Sequence, residues 1–340
     1  MKALFIGGTG TISSAITSSL LEQGCELYLL NRGTRSASLP EGARLLQGDI
    51  HDETQVSSLL EGHKFDVVVD FIAFDRKNVE RDFRLFQGKT KQYIFISSAS
   101  AYQKPLSDYR ITEGTPLANP YWEYSRNKID CEHYLMTQYR EQGFPVTIVR
   151  PSHTYSEGSI PLGVSGAKGS WQVAKRMLNH QPVIIHGDGT SLWTMTHSSD
   201  FAKGFIGLMG NIHAIGEAVN ITSDETVTWN QVYSIVADAL GVPLKAVYVP
   251  SEFLAACGGA KDYRGGLLGD KAHSVVFDNA KLKRLVPGFV ATTRLDQGIR
   301  RTVQHILEHP ELQTEDPEFD VWCDKVISAL EVAVSTVRGE

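Results

Sequence analysis

The sequence predicts a doubly wound α/β fold: a parallel sheet built in the first half, then a smaller C-terminal α/β part. Three observations predict it. Short apolar runs alternate with helical patterns from Ala3 to Val149, the rhythm of a parallel sheet with right-handed crossovers. The run FDVVVDFI at 65–72 is almost continuously apolar, as a strand covered on both faces must be. After Pro151 the rhythm changes, and 156–170, rich in Gly, Ser and Pro, reads as a loop.

In chain order, 3–6 is a strand, 11–23 a helix, and 26–30 and 44–47 strands. A helix around 54–60, the strand 65–72, a helix at 78–86 and a strand at 92–97 follow. A long helix at 121–142 and a strand at 146–149 close the first half. Beyond it, helices are expected at 171–179, 199–209, 229–240, 280–285 and 296–308, with short strands near 183–185 and 218–221. A last helix covers 319–337, where Val326, Leu330, Val334 and Val337 recur at helical spacing.

Composition narrows the classes. With 42% hydrophobic and 21% charged residues, the chain of 340 residues is globular rather than disordered, and long enough for one large or two smaller domains. The 33 basic and 39 acidic side chains give a net charge of −6, which argues against a polyanion as the main partner. Nucleic acid is therefore not expected. The basic residues Lys281, Lys283, Arg284, Arg300 and Arg301 read as solvated helix surface. Cys25, Cys131, Cys257 and Cys323 are scattered, without a CxxC pair, so reduced thiols in a cytoplasm are the expectation. No apolar run reaches the roughly 18 residues of a membrane span. Gly7, Gly8 and Gly10 stop the apolar start short of a secretory core, which makes it a buried first strand.

Directly after that strand stands Gly7-Gly8-Thr9-Gly10-Thr11-Ile12-Ser13. A strand, a glycine turn and a helix let backbone N–H groups approach a pyrophosphate at the helix N-terminus. Ser13 occupies the position where the pattern usually ends in Gly. The second strand ends at Leu30-Asn31-Arg32, where an acid would hold the ribose hydroxyl of NAD. Arg32, with Arg35, instead suits a 2′-phosphate. The cofactor is thus NAD or NADP, with a lean to NADP; a solvated Arg32 is the alternative. Asp49 and Ile50 are placed either to touch the adenine or to form a turn, and Phe71 joins the expected cofactor contacts. Residues 1–150 then form the NAD(P)-binding domain. Residues 151–340 form mainly a substrate-binding domain, from which the chain can cross back to the sheet.

In Tyr124-Ser125-Arg126-Asn127-Lys128, Tyr and Lys lie four apart on one helix face. A nearby ammonium would favour the phenolate and lower the tyrosine pKa. The strand before ends in Ser97-Ser98-Ala99-Ser100-Ala101-Tyr102, whose hydroxyls can bind a substrate oxygen.

With GGTGTIS, SSASAY, YSRNK, VRPSHTY, and HGDG and THSSDFAKGF before GEAVNIT, the chain resembles an extended short-chain dehydrogenase/reductase of the NAD-dependent epimerase/dehydratase type. It is similar in particular to the chloroplast stem-loop-binding subgroup. The resemblance runs from about residue 1 to 241. It implies a Rossmann-type doubly wound parallel sheet with a smaller C-terminal α/β substrate domain. It implies Tyr124 as general acid/base, Lys128 on the nicotinamide ribose and Ser98 orienting the substrate oxygen, with Ser100 a second candidate. It places Pro151 and His153 near the nicotinamide. Departures bear on the reaction. Ala99 and Ser100 stand where the dehydratases of the family carry an acidic pair, which disfavours dehydration. Gly187-Asp188-Gly189 leads to Trp193 with no arginine for a sugar diphosphate. Trp193 either stacks on an unactivated sugar ring or is a core aromatic. His197 heads a helix or contacts substrate. His153, His186 and His197 lack metal-ligand spacing, so no metal is expected. The expectation is hydride transfer at a carbinol carbon of a sugar-like substrate, by an epimerase or dehydrogenase/reductase, in a homodimer. The alternative is a dinucleotide-retaining RNA-binding protein without catalysis.

Overall fold

Strands that are apolar on consecutive residues need cover on both faces, and the helices between them supply it. The computed structural model describes residues 1–33, 39–259 and 261–339. Its centre is a sheet of seven strands: β1 (Lys2–Ile6), β2 (Glu26–Asn31), β3 (Arg44–Gln47), β4 (Val67–Asp70), β5 (Tyr93–Ile96), β6 (Val146–Pro151) and β7 (Ala218–Ile221). They lie in the order β7-β6-β5-β4-β1-β2-β3, and all pairings are parallel. The order reverses between β1 and β4, the point where doubly wound sheets open a crevice.

The pleat of β1 shows how the two faces divide. Ala3 and Phe5 pack with Ile16 and Leu20 of α1 (Thr11–Glu22) and with Phe201 and Phe205 of a helix at Ser198–Leu208. Leu4 and Ile6 turn to the other face, with Val79 and Phe86 of a helix at Arg76–Phe86 and Cys131 and Leu135 of a helix at Glu123–Gln142. The helices that cover the sheet are α1, α2 (Glu53–Leu59), α3 (Arg76–Phe86), α4 (Glu123–Gln142) and α6 (Ser198–Leu208), while α5 (Trp171–Leu178) and α7 (Trp229–Leu240) pack in the second half. At roughly 25 cal/mol per Å² of apolar surface, burying such a two-sided strand is the main stabilisation of the sheet.

The second half builds its own core around Trp193, Trp229, Tyr233 and Ile185, between α5, α7 and the last helix, Pro317–Arg338. It is not separate from the sheet: β7 comes from this half and pairs with β6, so the change of pattern near residue 150 does not divide the sheet. In the last helix Val326 is buried and Leu330 packs on the core. Val334 and Val337 are exposed, so the apolar stripe outruns its partner surface. Among the elements without a clear pattern in the sequence are a strand at Ala246–Val249, a short helix at Ser251–Cys257, and a π-helix at Arg264–Lys271. Of the basic residues of the second half, Lys281 pairs with Glu217 and Lys283 with Asp224.

Candidate functional site

Two adjoining clefts of about 370 Å³ each open at the carboxyl ends of the strands. The first is lined by Gly7, Thr9, Gly10, Asn31, Arg32, Asp49, Ile50 and Ile72, among others. Gly7 has φ +79°, and a Cβ there would come within 2.5 Å of Ile72 Cγ2, so only glycine turns the chain here. Gly8 faces inward, against Leu29 and Phe5, while Thr11 starts α1. Ser13 serves the turn in place of glycine. Its Oγ accepts from the Gly10 N–H at 2.7 Å and donates to the Gly7 carbonyl at 3.1 Å. The turn thus leaves backbone amides at a helix N-terminus, which fits a pyrophosphate. Arg32 is exposed at the rim, and Asn31 Oδ1 accepts from the Gly33 N–H at 3.0 Å. Arg35 lies outside the described residues. Asp49 caps its own turn by accepting from the His51 N–H at 3.0 Å, beside the buried Ile50.

The second cleft brings together Ile12, Phe71, Ser98, Ser100, Tyr124, Lys128, Pro151, His153 and Trp193, from elements far apart in sequence. Tyr124 and Lys128 lie on the first turns of α4; Ser98 follows β5; Pro151 ends β6. Lys128 is buried. Its Nζ donates to the carbonyls of Ala73 (2.6 Å) and Ile96 (2.7 Å), leaving the third of its donors. Burial lowers this ammonium to about 8. Tyr124 departs from the sequence expectation. Burial pushes its phenol up to about 12, and the neighbour that opposes this is Ser98, not Lys128. The reason is geometric. The Lys128 ammonium is turned to two backbone carbonyls, 5.7 Å above the Tyr124 ring, and Trp122 and Phe74 crowd that ring.

Behind the cleft runs a chain of three serines. Ser125 Oγ donates to Ser100 Oγ at 2.7 Å, and Ser100 Oγ lies 2.9 Å from Ser98 Oγ, which also accepts the Ser100 N–H at 3.1 Å. Ser100 is buried and engaged by these contacts, beside Ser98 in the lining of the cleft. Below them, Glu132 of α4 binds Arg150 of β6 through two oxygens and accepts from Ser97 Oγ after β5. Arg150 Nη1 donates on to Tyr102 Oη at 3.0 Å, and that hydroxyl donates to Asn220 of β7 at 2.7 Å. This buried network joins α4 to three neighbouring strands.

One expected substrate contact is corrected. His197 does not line the cleft. It is buried, accepts from the Ser199 N–H as the N-cap of α6, packs edge-on to Tyr155 at 5.1 Å and reaches Glu157 at 3.3 Å. Trp193 lines the cleft, yet it is buried and stacks on Trp229 at 6.3 Å, which makes it a core aromatic with one edge at the site. Asp270, Lys271, Trp122 and Phe74 also line the cleft and carry no motif. Asp270 and Lys271 end the glycine-rich RGGLLGDK stretch, whereas Trp122 and Phe74 stand in no such pattern.

With this geometry in place, comparison with known proteins is decisive for the family. The model of the NAD dependent epimerase/dehydratase family matches residues 3–222. The chain belongs to this family. Among relatives of this epimerase/dehydratase family member, a 2′-dehydrokanamycin reductase of Streptomyces kanamyceticus is 25% identical over 289 residues, 85% of this chain and 80% of that one. The chloroplast stem-loop binding protein of 41 kDa b of Arabidopsis thaliana is 27% identical over 267 residues, 74% and 67% of the two chains. A dTDP-glucose 4,6-dehydratase from Bacillus anthracis, solved in complex with NAD, superposes with a TM-score of 0.73 at 18% identity, covering 92% of this chain and 98% of that one. This last likeness is one of fold. Among the described residues no helix is long and apolar enough to cross a membrane.

Proposed function

We propose that this chain is an NAD(P)-dependent oxidoreductase or epimerase that acts at a carbinol carbon of a sugar-like substrate. The observation that carries the reading is the convergence of Ser98, Tyr124 and Lys128 in one cleft that adjoins the Gly7–Ile12 turn. The residues suit a dinucleotide: Gly7, Gly8, Thr9, Gly10, Thr11 and Ile12 for the pyrophosphate, Asn31 and Arg32 for the adenosine ribose, and Asp49 and Ile50 for the adenine. Lys128, Phe71, Pro151 and His153 then form the nicotinamide end. When bound, the nicotinamide accepts or returns hydride at the substrate carbon.

The chain's own residues handle the proton. Ser98 donates to the substrate oxygen, and Tyr124 removes the hydroxyl proton as the carbonyl forms. Raised to about 12, the phenol is protonated at neutral pH, which is the form that gives a proton to a substrate oxygen in the reducing direction. An ammonium brought closer to the phenolic oxygen would lower that value and favour oxidation. Whether the ketone leaves or takes hydride on its other face separates net oxidoreduction from epimerisation. Ala99 and Ser100 offer no acid pair for loss of water, which sets dehydration aside. The similarity to a 2′-dehydrokanamycin reductase, over 85% of this chain and 80% of that one, supports the reductase side.

The test is Tyr124→Phe. It should leave dinucleotide binding within about twofold and lower turnover by roughly 10²–10⁴-fold. Unchanged turnover would sink the assignment. The nucleotide released on denaturation, identified by mass spectrometry, decides between NAD and the NADP that Arg32 favours. Similarity to the stem-loop binding protein supports a second reading, RNA binding, which predicts affinity falling steeply with salt.

A further inference from the structure

The wall of the cleft opposite Ser98 and Tyr124 comes from the π-helix Arg264–Lys271, and it is a built surface. π-helical turns cost regular hydrogen bonding and occur mostly at functional sites. This one is held at both ends. The Gly265 N–H donates to Asp262 Oδ1 at 2.8 Å. The Lys271 carbonyl accepts from three donors, Trp229 Nε1, His186 Nε2 and Ser191 Oγ, each at 3.2 Å. Between them, Asn119 Nδ2 donates to the Gly269 carbonyl at 2.7 Å. A side chain at Gly265 would collide with the Trp122 ring, and one at Gly269 would press on Trp122 and Asn119, so these glycines seat the π-helix against the start of α4.

This rigid segment presents Asp270 and Lys271 to the cleft. Asp270 is only 8% exposed, and its Oδ1 has no hydrogen-bond partner, although buried polar atoms are almost always paired. Across the same cleft, the Nε1 of Trp193, 2% exposed, is also without an acceptor. Asp270 and Trp193 thus both line the cleft beside Tyr124, each with one buried polar atom left without a partner. The charged side chains among the described lining residues are Lys128, Asp270 and Lys271. Lys128 is engaged with backbone carbonyls, and Lys271 Nζ stands 3.4 Å from Asp270 Oδ2. Asp270 offsets one of the two lysines, which leaves a single positive charge in excess, and among the described residues no guanidinium lines the cleft, whereas a diphosphate would bring two negative charges and needs bidentate or paired cations.

We infer that Asp270 and Trp193 form the substrate-recognition pair, and that the substrate is a sugar ring without a diphosphate, read through a donor group that Asp270 Oδ1 accepts and an oxygen that Trp193 Nε1 binds. The inference rests on the cleft being the site of sugar oxidoreduction. The donor is a ring hydroxyl or a ring ammonium; both present the same N–H or O–H to the carboxylate.

The test titrates the full chain, with NAD added, with methyl α-D-glucoside, the corresponding methyl 2-amino-2-deoxyglucoside, and UDP-glucose, followed by tryptophan fluorescence and calorimetry. At least one methyl glycoside binds, and more tightly than UDP-glucose. Asp270→Asn, nearly isosteric, weakens it tenfold or more. Trp193→Phe, which keeps the ring and removes one donor, weakens it several-fold. NAD affinity and melting temperature hold in both. A larger loss for the amino glycoside assigns the donor as an ammonium, an equal loss as a hydroxyl. Tighter binding of UDP-glucose, no binding of either glycoside, or glycoside affinity untouched by both substitutions overturns the inference. Full turnover in Tyr124→Phe would instead defeat the underlying reading, which the binding data alone do not address.

Discussion

Ser98 shows how single residues tune this site. Its oxygen accepts the Ser100 N–H, and it stands next in line after Ser125 and Ser100. Because Ser125 donates to Ser100, the Ser100 proton is free to turn to Ser98, an arrangement that leaves the Ser98 proton for the cleft and a substrate oxygen. Ser125→Ala removes the first donor and leaves Ser100 oxygen underbonded in the interior. We expect a stability loss of about 1–2 kcal/mol and a several-fold drop in kcat with little change in KM. A change confined to KM would show that the chain does not orient Ser98. The residue scale is also where sequence reading divides. Gly7, Gly10, Ser98, Tyr124 and Lys128 are legible because the chemistry demands those types at those spacings. Ser125 and Asp270 are not, since nothing in their sequence neighbourhood reveals what they face. His197 misleads because a cap and a ligand are the same residue type in sequence.

At the scale of elements, α4 is the part that matters most. It carries Tyr124 and Lys128 on its first turns and Glu132 one turn further on, and Glu132 clamps Arg150 at the end of β6 and Ser97 after β5. Both partners of the Glu132–Arg150 pair are buried, and the pair holds Arg150 protonated beyond its ordinary range. Removing one charge strands the other, which costs far more than the pair itself contributes. Glu132→Gln should therefore destabilise the fold by about 3 kcal/mol, measured by urea unfolding, and lower turnover by separating Tyr124 from Ser98. A loss under about 1 kcal/mol would mean that solvent reaches Arg150. The strands and the longer helices were readable, because period and apolar continuity report burial directly. The π-helix was not: its geometry is imposed by Trp122 packing on Gly265 and Gly269, a contact made across more than a hundred residues.

For the whole molecule, the acid response follows from histidines buried in the second half. Burial lowers His153 to about 3 and His186 to about 4, and lowers His197 as well. In the unfolded chain each would titrate near 6.5. The unfolded state therefore binds more protons below that pH, so their contribution is complete above about pH 6.5 and is lost as pH falls toward 4 and 3. Asp70 opposes this: burial and the neighbouring Asp82 raise its carboxyl, so it takes up a proton in the folded state first. With five lowered histidines, His63 and His273 included, against one raised carboxyl, urea midpoints should be flat near pH 7 and fall below 6.5. The slope would be about 1.4 kcal/mol per pH unit for each net proton. A midpoint that holds level down to pH 5 would contradict the burial of these rings.

The sequence by itself determined the parallel sheet, the glycine turn and the spacing of Tyr124 and Lys128, because each depends on local periodicity or on backbone freedom at one position. Tertiary structure alone decided three other things. The second half lends β7 to the sheet of the first. His197 caps a helix rather than meeting a substrate. The wall facing Tyr124 is Asp270 on a π-helix. Each follows from which surfaces meet once the chain is packed, and burial of one side chain against a distant one leaves no period in the sequence to read.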